Sequence, residues 1–137
     1  MITGIEVLKF GVEDKAEAIK FLSDFGLSKQ TTDIEDTELF QTQNGSKIYL
    51  FDIADSRLPA AIENGSTLRE VTWGVDNDQD LIQFAENLKD VEGFVQSATQ
   101  VQCRDPNGMT IVFQHSITKD VPCLLYTSDA ADEEDSV

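Results

Sequence analysis

Short hydrophobic runs alternate with polar stretches along the chain, and the alternation changes period in a recurring order. Ile5 to Val12 and Val71 to Val75 are rich in β-branched and aromatic residues, which predicts strands. Acidic and amide residues follow each run (Glu13-Asp14; Asp76-Asn77-Asp78), suited to a helix start, where free N–H groups need acceptors. The first predicted helix carries Ala18, Leu22 and Phe25 on one stripe, with Phe21 beside them. Gly26 is placed to end it, and Leu27 to supply the hydrophobic contact that accompanies such an ending. The second helix carries Leu81, Phe84, Ala85 and Leu88. Asn44-Gly45, between Leu39-Phe40 and Ile48-Tyr49-Leu50-Phe51, predicts a hairpin. Asp105-Pro106-Asn107-Gly108 does the same before Ile111-Val112-Phe113, and Pro59 and Asn64-Gly65 mark a linker.

The two halves superimpose at one offset. Phe10-Gly11-Val12 matches Trp73-Gly74-Val75, Ile19 and Phe21 match Ile82 and Phe84, and Asn44-Gly45 and Ile48 match Asn107-Gly108 and Ile111. Each pair is 63 residues apart, with no gap. The pattern predicts an α+β domain over residues 1–117. It consists of two tandem βαβββ modules, about 2–55 and 66–117, forming a curved mixed sheet with helices on its outer face.

Side chains alternate across a sheet, so the strands assign two faces. Leu8, Phe10, Val12, Ile48, Leu50, Val71, Trp73, Val75, Ile111 and Phe113 form a wholly apolar face, expected under the helices. Val7, Lys9, Tyr49, Phe51, Glu70, Thr72, Val112 and Gln114 form a mixed face, suited to water or a ligand cup. The candidate ligand-binding residues are therefore Lys9, Tyr49, Phe51, Glu70 and Gln114. Tyr49 and Phe51 could stack a planar ligand or simply pack, and Glu70 could pair with Lys9 or Arg69.

Charge narrows the partners. The 137 residues hold ten Lys and Arg against 26 Asp and Glu, a formal net charge of −16. Such a surface repels phosphate backbones and anionic membranes, so nucleic-acid binding is not expected. No apolar run approaches a membrane span and no leader-like segment is seen, so a cytoplasmic location is expected. The two cysteines, Cys103 and Cys123, have no metal-type spacing, and Cys103 is expected to be an unreactive thiol. His115 is the one histidine, which rules out a His-based pair within the chain, and no catalytic residue is assigned.

The last residues break the repeat. Within the tail, 118–137, the stretch 123–133 resembles a translated sequencing-library adapter and is expected to be non-native and disordered. On that expectation the natural protein is cut near Pro122. Five of the 26 acids lie beyond Pro122 (Asp129, Asp132, Glu133, Glu134, Asp135), leaving 21 against ten bases, so the acidity does not come from that stretch alone.

Two such modules, each with a Gly-Val-acid step after its first strand and the second with Asp105-Pro106-Asn107-Gly108, resemble the vicinal oxygen chelate superfamily. It includes glyoxalase I, bleomycin and fosfomycin resistance proteins and extradiol dioxygenases. Leu68-Arg69-Glu70-Val71-Thr72-Trp73-Gly74-Val75 resembles the first domain of longer, two-domain bacterial members. The resemblance implies a divalent metal held by His or Glu at four cup positions, which here are Val7, Tyr49, Glu70 and Val112. Glu70 alone could coordinate tightly, so no metal is expected in residues 1–117. The expected role is the non-catalytic N-terminal half of a lyase or ring-cleaving dioxygenase using Fe, Mn or Zn. It would pack against a second domain. The alternative is a metal-free, dimeric protein that sequesters a small aromatic or cationic molecule.

Overall fold

The fold is built outward from a central pair of long strands, β1 (Ile2–Val12) and β5 (Thr67–Val75), which run antiparallel. Each opens one module. Helix α1 (Lys15–Phe25) follows β1, and β2 (Ser28–Gln30), β3 (Glu38–Gln41) and β4 (Lys47–Asp52) complete the first module. Helix α2 (Asp78–Leu88), β6 (Val95–Gln96), β7 (Gln100–Arg104) and β8 (Thr110–His115) complete the second. The strands form one eight-stranded mixed sheet in the order β2-β3-β4-β1-β5-β8-β7-β6. This computed structural model describes residues 1–117, so the expectations for 118–137 lie outside the described residues.

The duplication is visible in the strand pairing. β1 and β4 are parallel with Val7 opposite Lys47, and β5 and β8 are parallel with Glu70 opposite Thr110, each residue moved by 63. Leu8 lies opposite Val71, its own counterpart, so a pseudo-two-fold axis passes through that pair. The edges depart from this symmetry. β2 begins at residue 28, which the offset carries to 91, whereas β6 begins at 95.

Local chemistry sets the element ends as the sequence suggests. The Asp14 carboxylate accepts the Glu17 N–H at 3.0 Å, and the Asn77 side chain accepts the Asp80 N–H at 2.8 Å, each satisfying a donor the helix leaves free. Gly26 ends α1 at φ 110°, a conformation costly for any residue with a Cβ, and the Leu27 N–H returns to the Leu22 carbonyl.

Two apolar layers sandwich the sheet in the first module. On the helix side, Val12, Phe40 and Leu50 are buried against Ala18, Ile19, Leu22 and Leu27. On the opposite side, Leu39, Tyr49, Phe51 and Leu58 form a second cluster. Leu58 belongs to the linker, which the buried Arg69 holds in place by donating to the Ile53 and Pro59 carbonyls, both at 2.9 Å. Glu70 therefore does not pair with Arg69.

Candidate functional site

The mixed face is concave at the seam of the modules. Val7 and Lys9 of β1, Tyr49 of β4, Glu70 and Thr72 of β5 and Val112 and Gln114 of β8 line one cavity of about 410 Å³. Asp33, Ile34, Lys47, Gln100, Gln102 and Ile117 complete its wall. Four of the five candidate residues (Lys9, Tyr49, Glu70, Gln114) thus meet in one place. Phe51 does not. It is 2% exposed, beside Tyr49 (ring centroids 6.4 Å apart) and under the Arg57 guanidinium at 5.2 Å. The linker carrying Leu58 closes over it, so it is core rather than cup wall. His115 ends β8 exposed to solvent and lines no part of this cavity.

The charged groups of the cup face one another in pairs. Lys9 lies opposite Glu70 across the central strands, and its Nζ is 3.2 Å from the Glu70 carboxylate. The Tyr49 hydroxyl donates to Asp33 at 2.5 Å, and Lys47 stands 3.9 Å from the same carboxylate. Burial, reinforced by the neighbouring Asp33 charge, pushes the Tyr49 phenol above its ordinary range. The hydrogen bond from Tyr49 in turn holds Asp33 below the usual carboxylate range. The Gln100 amide donates to the Gln114 carbonyl oxygen at 2.9 Å across β7 and β8.

These groups do not fit a family-type metal. Val7 and Val112 present only methyl groups. Tyr49 keeps its proton and donates it in a hydrogen bond to Asp33, and Glu70 already faces an ammonium. Among the described residues no group of three or more His, Cys, Asp or Glu converges as a metal would require. What the arrangement can do is accept and donate hydrogen bonds to a small polar molecule, with Lys9 and Lys47 as cations and the Gln100–Gln114 pair as amides.

Glu6 carries little signal in the sequence. Its carboxylate is 1% exposed and accepts from the Ser116 hydroxyl at 2.9 Å and the Ile117 N–H at 2.8 Å. It thereby fixes Ile117 at the cup rim. A register shift between Ile5 and Val7 interrupts the alternation that marks inward positions. Gly74 leaves it room, since a Cβ there would stand 2.5 Å from the Glu6 carboxylate.

The architecture matches solved structures far more clearly than the sequence matches any protein. Catechol 2,3-dioxygenase superimposes with a TM-score of 0.65 over 86% of this chain, at 16% identity. The Mn(II)-bound glyoxalase from Novosphingobium aromaticivorans gives 0.62 over 89% at 14% identity. Methylmalonyl-CoA epimerase from Mycobacterium tuberculosis gives 0.50 over 92% at 14% identity. The chain has the vicinal oxygen chelate fold. It spans 41% and 43% of the dioxygenase and glyoxalase chains but 93% of the epimerase chain. No family model matches the sequence, and no curated protein matches it.

Proposed function

We propose that this chain is the non-catalytic half of a larger glyoxalase- or dioxygenase-type protein. It keeps the vicinal oxygen chelate fold and cup, and leaves the metal chemistry to a second pair of modules. The observation that carries this is the donor set: two valines, a hydrogen-bonded tyrosine and a glutamate neutralised by Lys9. The proportions support it, because the chain covers about two fifths of two matched proteins whose TM-scores exceed that of the single-length epimerase. Exposed Phe21 and Phe25, stacked at 6.0 Å on α1, offer apolar surface for the second half to cover. The full protein would be a lyase or ring-cleaving dioxygenase using Fe, Mn or Zn. The native gene beyond the Pro122 codon tests this. An in-frame second pair of modules with His and Glu at the cup positions is expected, and an immediate stop codon would overturn it.

A second reading has its own support. The cup stays open at about 410 Å³, within the range of small-molecule sites. On this reading the protein is a metal-free, dimeric sequestering protein. Small aromatic or cationic molecules should then raise its melting temperature, because ligands that bind the native state stabilise it. A flat response across both classes would remove this reading.

A further inference from the structure

We propose that the second module carries a binding site for a neutral aromatic molecule of one or two rings. The site lies on the helix side of the sheet, in the space that Phe40 and Leu27 occupy in the first module. The inference does not depend on what the cup does. Gln102 lines the cup, and its neighbour Cys103 points to the opposite face.

The duplication itself supplies the comparison. In the first module Phe40 is 0% exposed and is the largest fully buried side chain of the helix-side layer, with Leu27 packed against the same cluster. Carried by 63 residues, Phe40 becomes Cys103 and Leu27 becomes Asp90. A phenyl ring and an isobutyl group have thus been replaced by a thiol and a solvent-exposed carboxylate. Phe113 replaces the smaller Leu50, but it rests on Phe84, with ring centroids 5.1 Å apart. A cavity of about 650 Å³ remains, walled by Leu88, Val91, Cys103, Ile111 and Phe113.

The backbone around this cavity is fixed. The late start of β6 leaves Val91 and Glu92 as one wall. The Val91 N–H donates to Leu88, the Phe94 N–H to Val91, and the Arg104 N–H to the Glu92 carbonyl at 2.9 Å. The charged groups at the mouth already have partners. Arg104 pairs with Glu92 at 3.2 Å, and the Asp105 carboxylate accepts from the Asn107 and Met109 N–H groups at 2.8 and 2.9 Å. The site therefore offers apolar wall and, among the described residues, no free cation. Burial keeps the Cys103 thiol protonated. A neutral ring gains from leaving water for such a wall, whereas a carboxylate brought beside Glu92 and Asp105 meets like charge.

The test is an amide NMR titration of the whole 137-residue chain with indole and toluene, with benzoate as the charged comparison. Saturable shifts confined to Leu88, Val91, Cys103, Ile111 and their neighbours are expected, with benzoate at least about tenfold weaker. Cys103→Phe, which restores the ring of the first module, should abolish the shifts. Cys103→Ala, which enlarges the space, should retain them, so the proposal stays testable if the larger residue does not fold. Absence of saturable shifts, shifts centred on the cup, undiminished binding in Cys103→Phe or loss of binding in Cys103→Ala would each overturn it.

Discussion

At the scale of single residues, Tyr49 links stability to pH. Its phenol is held above the ordinary value near 10, so in alkali the unfolded chain ionises first and gains on the folded one. Stability should be present in full below about pH 10 and fall as pH rises beyond it. Tyr49→Phe should remove that alkaline loss. It should cost about 1 kcal/mol at neutral pH, a hydrogen bond to a carboxylate discounted for the exposure of Asp33. Urea unfolding of both proteins across the alkaline range checks this. Asp55 acts at the other end of the scale, where the Arg57 guanidinium holds its carboxyl down to about 2. That contribution is present above the ordinary carboxylate value and is lost as pH falls through it toward 2. Phe40→Ala removes the most deeply buried ring of the first module and should cost about 3–5 kcal/mol by denaturant unfolding. Gly74→Ala should destabilise for the opposite reason, overpacking, because its methyl would displace the buried Glu6 carboxylate.

At the scale of elements, what could be read in advance depended on periodicity. The long strands, both helices, their caps and both hairpin turns follow from apolar runs and turn residues that the sequence states openly. β2 and β6 carry no such signal. Ser28-Lys29-Gln30 and Val95-Gln96 are exposed edge strands, held by backbone pairing rather than by a buried face. The stripe expected on α1 also shifts. Ala18, Ile19 and Leu22 reach the core, whereas Phe25 is 72% exposed and stacks on Phe21 at the surface. Replacing Phe21 and Phe25 together by serine should therefore change unfolding free energy by no more than about 0.5 kcal/mol per site while lowering self-association. Denaturant unfolding and light scattering read the two effects separately.

At the scale of the whole molecule, the 63-residue offset reappears as identical parallel registers on either side of the Leu8–Val71 axis. The site was legible to the same degree. Lys9, Tyr49, Glu70 and Gln114 converge because alternation fixed their face, and the Lys9–Glu70 pair follows from two central strands running antiparallel. Phe51 shares that face yet lies outside the cup, because alternation gives a face and says nothing of a linker folding over it. Asp33 and Lys47 carry no such signal, because their places depend on where the loop before β3 and the start of β4 meet the cup. The modules share their central strands, so residues 2–55 alone would expose the β1 edge that β5 covers. That segment should show no cooperative unfolding by circular dichroism, whereas 1–117 should show one transition.

The most direct test of a metal-free cup is equilibrium dialysis of the chain against Fe(II), Mn(II) and Zn(II) under anaerobic conditions, followed by metal analysis beside Glu70→Gln. Identical contents in the two proteins are predicted, because Glu70 faces Lys9 and the other three positions offer no available donor. One equivalent of metal that disappears with Glu70→Gln would contradict the account.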